Sequence, residues 1–189
     1  GSGRSGQCIR QMSENTPIYW TEGKADPFTL LGDLGWRDYT VSSDFMLERS
    51  GYVQLIGRAG NYPHQAPQSL NSYYLRITDG GNWAIRSNNT SNNVRTLASG
   101  NTSAPGTGRW HNVALTFSGS SITAYLDGQR LGSANDGAFG NGQVGYGTGT
   151  AVAAQFDNLS VYNGAPPTTT ATTSGPPPTT TTTSTTTTN

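Results

Sequence analysis

Apolar residues recur two positions apart through much of this chain, and turn residues interrupt them at short intervals. In Tyr74-Leu75-Arg76-Ile77 the alternating pair is Leu75 and Ile77. In the run from Trp110 to Phe117 it is His111, Val113, Leu115 and Phe117, and in the run from Ser121 to Leu126 it is Ile122, Ala124 and Leu126. Successive side chains of a strand point to opposite faces, so each set marks the core side of a sheet. Helical periodicity is nearly absent. Asp127-Gly128 lies between two such runs and tolerates positive φ at both central positions, which predicts a type I′ hairpin. Asp79-Gly80-Gly81-Asn82 similarly joins a strand ending at Thr78 to Trp83-Ala84-Ile85-Arg86. Further strands are expected over 29–32, 39–47, 53–58, 94–97, 143–146 and 155–162. About ten strands at this spacing predict an all-β fold, two antiparallel sheets packed as a jelly-roll sandwich.

The alternation stops near residue 163. Residues 166–189 hold fourteen Thr and five Pro, with no large apolar side chain. Such a segment buries too little surface to offset its chain entropy, so 164–189 is expected to be a disordered Thr/Pro linker. Residues 1–163 suit one domain with a single core. A sandwich that hands over to a tether of this kind is the usual build of one module in a secreted, multi-modular, carbohydrate-active protein. An extracellular, bacterial setting is expected.

Charge narrows the partners. Eleven basic and eleven acidic residues balance, so nothing steers the chain to nucleic acid or an anionic membrane. No run approaches the roughly 18 apolar residues of a membrane span. The single cysteine, Cys8, excludes an internal disulfide and reads as a small buried thiol. No signal peptide is visible, and Gly1-Ser2-Gly3-Arg4-Ser5-Gly6 reads as an edge cut in mid-protein, so an excised fragment is expected.

Two places could carry chemistry. In the last strand Asp157 shares a parity with Leu159 and Val161. If those two face the core, so does Asp157, and a buried carboxylate needs a metal or a cationic partner. A bulge turning Asp157 to solvent would remove the need. The second place is the long loop 58–73, rich in Gly, Pro and Asn. Loops on rigid sandwiches concentrate binding residues. Asn61, Tyr62, His64 and Tyr73 are the candidates for contacting a sugar; packing against a neighbouring domain is the alternative. Trp20, Trp36, Trp83 and Trp110 read as core anchors. Catalysis finds little support. A retaining glycosidase needs two carboxylates about 5–5.5 Å apart. Several of the acids, Asp79, Asp127 and Asp136 among them, sit where turns want them. His111 reads as a hydrogen-bonded core residue. The Asn-X-Ser/Thr sequons are expected by chance in so polar a chain.

An ordered set of pieces is recognisable. It starts with Cys8-Ile9-Arg10-Gln11 and Pro17-Ile18-Tyr19-Trp20, and continues with the run from Gly32 to Asp44. Gly57-Arg58, Arg109-Trp110-His111, Gly142-Gln143-Val144-Gly145 and Ala154-Gln155-Phe156-Asp157-Asn158 complete it. From Gln7 to Tyr162 the chain resembles the C-terminal lectin-like domain of galactocerebrosidases, glycoside hydrolase family 59. The resemblance implies a concanavalin A-like jelly roll that accompanies a catalytic barrel and carries no catalytic residue of its own. It implies a structural calcium ion held by Asp157 and a backbone carbonyl near Gln7, with further ligands upstream of residue 1. It also implies one more first strand there.

Three functions stay open at this point. The chain is a non-catalytic accessory domain of a galactoside-cleaving hydrolase, an autonomous carbohydrate-binding module, or a structural or adhesin domain. The expected partners are a galactoside-type glycan or glycolipid headgroup and a catalytic barrel in the parent chain.

Overall fold

The computed structural model describes residues 3–4, 6–11, 26–60, 70–89, 93–149 and 151–166. Among the described residues the chain is all β, with twelve strands and no helix. The first sheet has the order β1-β12-β3-β8-β9-β10. Its members are β1 (Ile9–Arg10), β12 (Ala154–Tyr162), β3 (Thr40–Leu47), β8 (His111–Ser118), β9 (Ser121–Leu126) and β10 (Gln129–Asn135). The second sheet has the order β2-β11-β4-β5-β6-β7. Its members are β2 (Phe28–Leu31), β11 (Gln143–Thr148), β4 (Tyr52–Gly60), β5 (Asn71–Thr78), β6 (Asn82–Asn88) and β7 (Arg95–Asn101). Every neighbouring pair is antiparallel.

The alternation in the sequence is the alternation of the core. Val113, Leu115 and Phe117 of β8 and Ile122, Ala124 and Leu126 of β9 are buried, as are Leu75 and Ile77 of β5. They join Val41, Phe45 and Leu47 of β3 and Val53 and Leu55 of β4 in one cluster between the sheets. Trp83 belongs to that cluster, and Trp36 packs against it. The β9–β10 hairpin turns at Asp127 and Gly128, whose φ values are 50° and 76°. Both are positive, as a type I′ turn requires.

Two elements differ from expectation. β1 is only two residues long, too short to show a period, and was not anticipated. β4 extends to Gly60 through a bulge at Arg58, whose φ is 47°. Arg58 is 2% exposed and turns back over Phe117, 4.9 Å from the ring centre. Its side chain donates to the carbonyls of Arg37 (3.0 Å) and Phe139 (3.1 Å) and to Asp38 Oδ1 (3.0 Å). A buried guanidinium is tolerated because these acceptors take up its donors.

Candidate functional site

The end of β12 sets the first site. Ala154 and Phe156 are buried, so Gln155 and Asp157 point the other way. Asp157 pairs with Asp44 of β3, and the next pair in register is Ser160 with Ser42. β12 therefore spends two residues, Asn158 and Leu159, opposite the single Ser43. Asn158 takes the strain, with φ at 51°. Such a bulge resets the parity of the strand. After it, Leu159 and Val161 pack against the core. Asp157 does not share their face, which corrects the expectation of an inward carboxylate. The two-residue period holds only within an unbroken ladder, and the bulge breaks it.

Asp157 and the Gln7 carbonyl nonetheless both border the space beside Gly3. A Cβ placed on Gly3 would lie 2.7 Å from Asp157 Oδ2, 2.9 Å from Cys8 Cβ and 3.0 Å from the Gln7 carbonyl oxygen. A carboxylate oxygen and a carbonyl oxygen thus converge on one point that only glycine leaves open. Asp157 Oδ1 accepts the Asn158 N–H at 2.7 Å. The Asp157 carbonyl accepts from Ser43 Oγ at 3.1 Å, which fixes the bulge to β3. A cleft of about 270 Å³ opens here, lined in part by Gln7, Asp157, Asn158, Ile9, Tyr146 and Phe156. Ca²⁺ takes about six to eight oxygen ligands, carboxylate and carbonyl alike. The Asp157 carboxylate and the Gln7 carbonyl fit that chemistry as two of them. Among the described residues no group of three or more His, Cys, Asp or Glu could hold a metal.

The buried carboxylate of this corner is Asp44, which sequence reasoning missed. It is 6% exposed. Its Oδ1 accepts from Asn112 Nδ2 at 2.8 Å and pairs with Arg4 at 3.2 Å. Its Oδ2 accepts from Asn158 Nδ2 at 2.8 Å. Asn158 thus serves both aspartates, one through its backbone and one through its side chain. The signal for Asp44 was its place in a strand of small polar residues, but its partners become visible only with the register. Beside it, Cys8 Sγ donates to Gln155 Oε1 at 3.1 Å, consistent with a quiet structural thiol.

The sugar candidates divide. Asn61, Tyr62 and His64 lie outside the described residues. Tyr73 is 0% exposed, on the core face of β5 with Leu75 and Ile77. Its ring packs on Phe117 and Phe139. Its hydroxyl donates to Asp136 Oδ1 at 2.5 Å and accepts the Phe139 N–H at 3.1 Å. Burial, then the bond to Asp136, pushes the phenol pKa up to about 12. A ring so placed offers no face to a sugar, and Tyr73 is a core residue instead. The strand begins at Asn71, so the loop ends two residues before it.

Asp79, Asp127, Asp136 and the described histidine are occupied. His111 Nδ1 meets Asp127 Oδ2 at 2.7 Å, and its Nε2 meets the Pro105 carbonyl at 3.1 Å. Asp127 Oδ1 also accepts the Asn112 N–H at 2.8 Å, closing the hairpin. The Gly51 N–H holds Asp79 below the usual carboxylate range, with Ser50 assisting. Burial raises Asp136, but the Tyr73 hydroxyl, the Ala138 N–H and Arg95 outweigh it and leave the pKa lowered. These groups are spent on turns and ties.

Comparison with known proteins covers nearly the whole sandwich. The family described as "Galactocerebrosidase, C-terminal lectin domain" matches residues 2–164. Galactocerebrosidase of Salmo salar is 26% identical over 157 residues, covering 81% of this chain and 23% of that protein. Galactocerebrosidase of Homo sapiens is 24% identical over 156 residues, covering 81% and 22%. The chain thus spans about a quarter of the length of these relatives. Among solved structures, the carbohydrate-binding module CBM66 from Bacillus subtilis superimposes with a TM-score of 0.61 at 18% identity, covering 80% of this chain and 94% of that one. Sheep galectin-11 gives 0.52 at 7% identity, covering 72% and 96%. At such identities these two share the fold.

Proposed function

Because this chain belongs to the family of galactocerebrosidase C-terminal lectin domains, we propose that it is a non-catalytic, carbohydrate-binding accessory domain of a longer galactoside-cleaving hydrolase. The observation that carries this reading is the family match across the entire sandwich, from residue 2 to residue 164. The occupied state of Asp79, Asp127, Asp136 and His111 supports it, since none of them is left as an acid or base facing an open site. The catalytic barrel of the parent chain is the partner in this reading, and a β-galactoside or glycolipid headgroup is the ligand. The setting is extracellular or lysosomal, with the Thr/Pro segment tethering a further module.

A structural calcium ion is part of the proposal. The Asp157 carboxylate and the Gln7 carbonyl would contribute to its shell, and Gly3 keeps the space between them open. When bound, the ion supplies positive charge that ties the segment around Gln7 to β12. The chain's own share is done by the bulge at Asn158, which aims Asp157 at that segment, and by the Asn158 N–H, which orients the carboxylate.

The test is binding of the isolated chain to immobilised β-galactosides and galactosylceramide, beside a hydrolysis assay on aryl β-galactosides. Binding without turnover is expected. Turnover that a single Asp or Glu substitution within 1–163 abolishes would sink the accessory-domain reading.

A further inference from the structure

The outer face of the second sheet carries a positive charge that the described residues do not neutralise. β4, β5, β6 and β7 contain no Asp or Glu, although the chain has eleven acids. Tyr74 of β5 stands opposite Arg86 of β6, and Arg76 opposite Ala84. The two arginines are therefore diagonal neighbours on one face, with Tyr74 and Ala84 completing the square. Ile56 and Gln54 of β4 continue it, opposite Tyr74 and Arg76. Ile56, Tyr74, Ala84 and Gln54 are all buried, so both guanidinium groups stand in a largely desolvated frame.

The arginines are unequally served. Arg76 reaches Asp26 Oδ2 at 3.5 Å and lies over the Tyr52 ring at 3.8 Å. Asp26 already accepts from Tyr52 Oη at 2.8 Å and Gln54 Nε2 at 2.6 Å. Arg86 has no ion-pair partner among the described residues. The Nε atoms of both arginines are buried without an acceptor. Buried donors are nearly always paired, and an exception calls for an explanation. A guanidinium presents its donors as a planar fork that matches an oxyanion. Asn88, half-buried, is the next residue of β6 on this face, and Ser72 opposite it is buried.

We propose that this face binds a saccharide bearing an oxyanion, a carboxylate or a sulfate ester, with Arg76 and Arg86 as its fork and the half-buried Asn88 beside them. The oxyanion meets the solvent-facing parts of two half-buried guanidinium groups, of which Arg76 alone has an ion-pair partner among the described residues. The saccharide part rests on the carbohydrate-binding reading above; the anion part rests on the arginines alone.

The experiment follows the arginine Nε–H resonances of the full chain by ¹H–¹⁵N NMR. The probes are galactose 6-sulfate, glucuronic acid, neutral galactose and inorganic sulfate at matched ionic strength. Either acidic sugar should shift the Arg76 and Arg86 signals, and affinity should fall as salt rises. Arg86→Gln should weaken that binding at least tenfold, with Arg86→Lys between the two. A thermal melt checks that each variant is folded, and Arg86→Lys serves alone if Arg86→Gln is not. Unchanged binding by the variants overturns the proposal. So does a shift of the two signals by galactose as large as that by its sulfate. Inorganic sulfate binding as tightly as the sulfated sugar overturns the saccharide assignment. Binding of neutral galactosides alone, without a response to either acid, overturns this inference and leaves the accessory-domain reading standing.

Discussion

Asp44 and Asp157 stand opposite each other in the β3–β12 ladder, yet Asn158 separates their roles. Its side-chain amide, that of Asn112 and the Arg4 guanidinium occupy Asp44, while Asp157 Oδ2 lies beside Gly3. Two carboxylates on one face repel when both are ionised. Asp44 is neutralised by donors from the chain, and Asp157 is the proposed calcium ligand.

That division predicts calcium dependence at Asp157 and not at Asp44. An ion that binds only the native state stabilises it by mass action, about 2.7 kcal/mol at a hundredfold excess over its dissociation constant. EDTA should lower the melting temperature of a chain extended upstream of Gly1, and Asp157→Ala should abolish the difference. Gly3→Ala should weaken the effect too, because its methyl group would collide with Asp157 Oδ2. If EDTA leaves the melting curve of that chain unmoved, no calcium ion sits there.

How far the sequence could be read depends on where local rules hold. The core faces of β5, β8 and β9 and the Asp127-Gly128 turn follow from alternation and turn chemistry, which act within a few residues. A shared role for Asp157 and Gln7 is what the family resemblance implies; in the structure both border the space beside Gly3, on a face other than the one parity suggested for Asp157. Parity put Asp157 beside Leu159 because the bulge at Asn158 is invisible without β3 to count against. Tyr73 failed as a sugar contact for the opposite reason. Its loop drew attention, although its parity with Leu75 already placed it in the core. The arginine face required the pairing of three strands, which no local pattern encodes.

Tyrosines govern the alkaline limit. Burial pushes Tyr39 and Tyr73 up to about 12, and burial with Asp26 does the same for Tyr52. An unfolded phenol ionises near pH 10. The folded state holds its protons more tightly, so this stabilisation is fully present below about pH 10 and is lost as pH rises toward 12. Melting temperature should therefore fall steeply across that window. Tyr73→Phe should cost about 1–2 kcal/mol at neutral pH, since the Phe139 N–H loses its acceptor, and should make the alkaline fall shallower. It should leave saccharide binding unchanged. A variant that melts like wild type but loses sugar binding would return Tyr73 to the binding site.

The end of the domain is set by one side chain. Thr40 is fully buried, and its Oγ1 donates to the Gly164 carbonyl while meeting Thr116 Oγ1 at 2.7 Å. The ordered contact thus reaches two residues past the last strand, which ends at Tyr162. Beyond it the sequence has only Thr, Pro, Ser, Gly, Ala and Asn, none able to bury much apolar surface. Deleting 167–189 should leave the melting temperature nearly unchanged. Deleting 163–189 removes that acceptor and leaves the buried Thr40 hydroxyl only its bond to Thr116, a loss of about 0.5–1.5 kcal/mol. For a domain of this size each 1 kcal/mol shifts the midpoint by roughly 2–4 °C, so the second deletion should show a drop of a few degrees. Thr40→Val in the full chain should reproduce part of that drop, because it removes the same bond without touching the tail. An equal drop from the shorter deletion would mean that the Thr/Pro segment docks on the sandwich, and the boundary at Gly164 would be wrong.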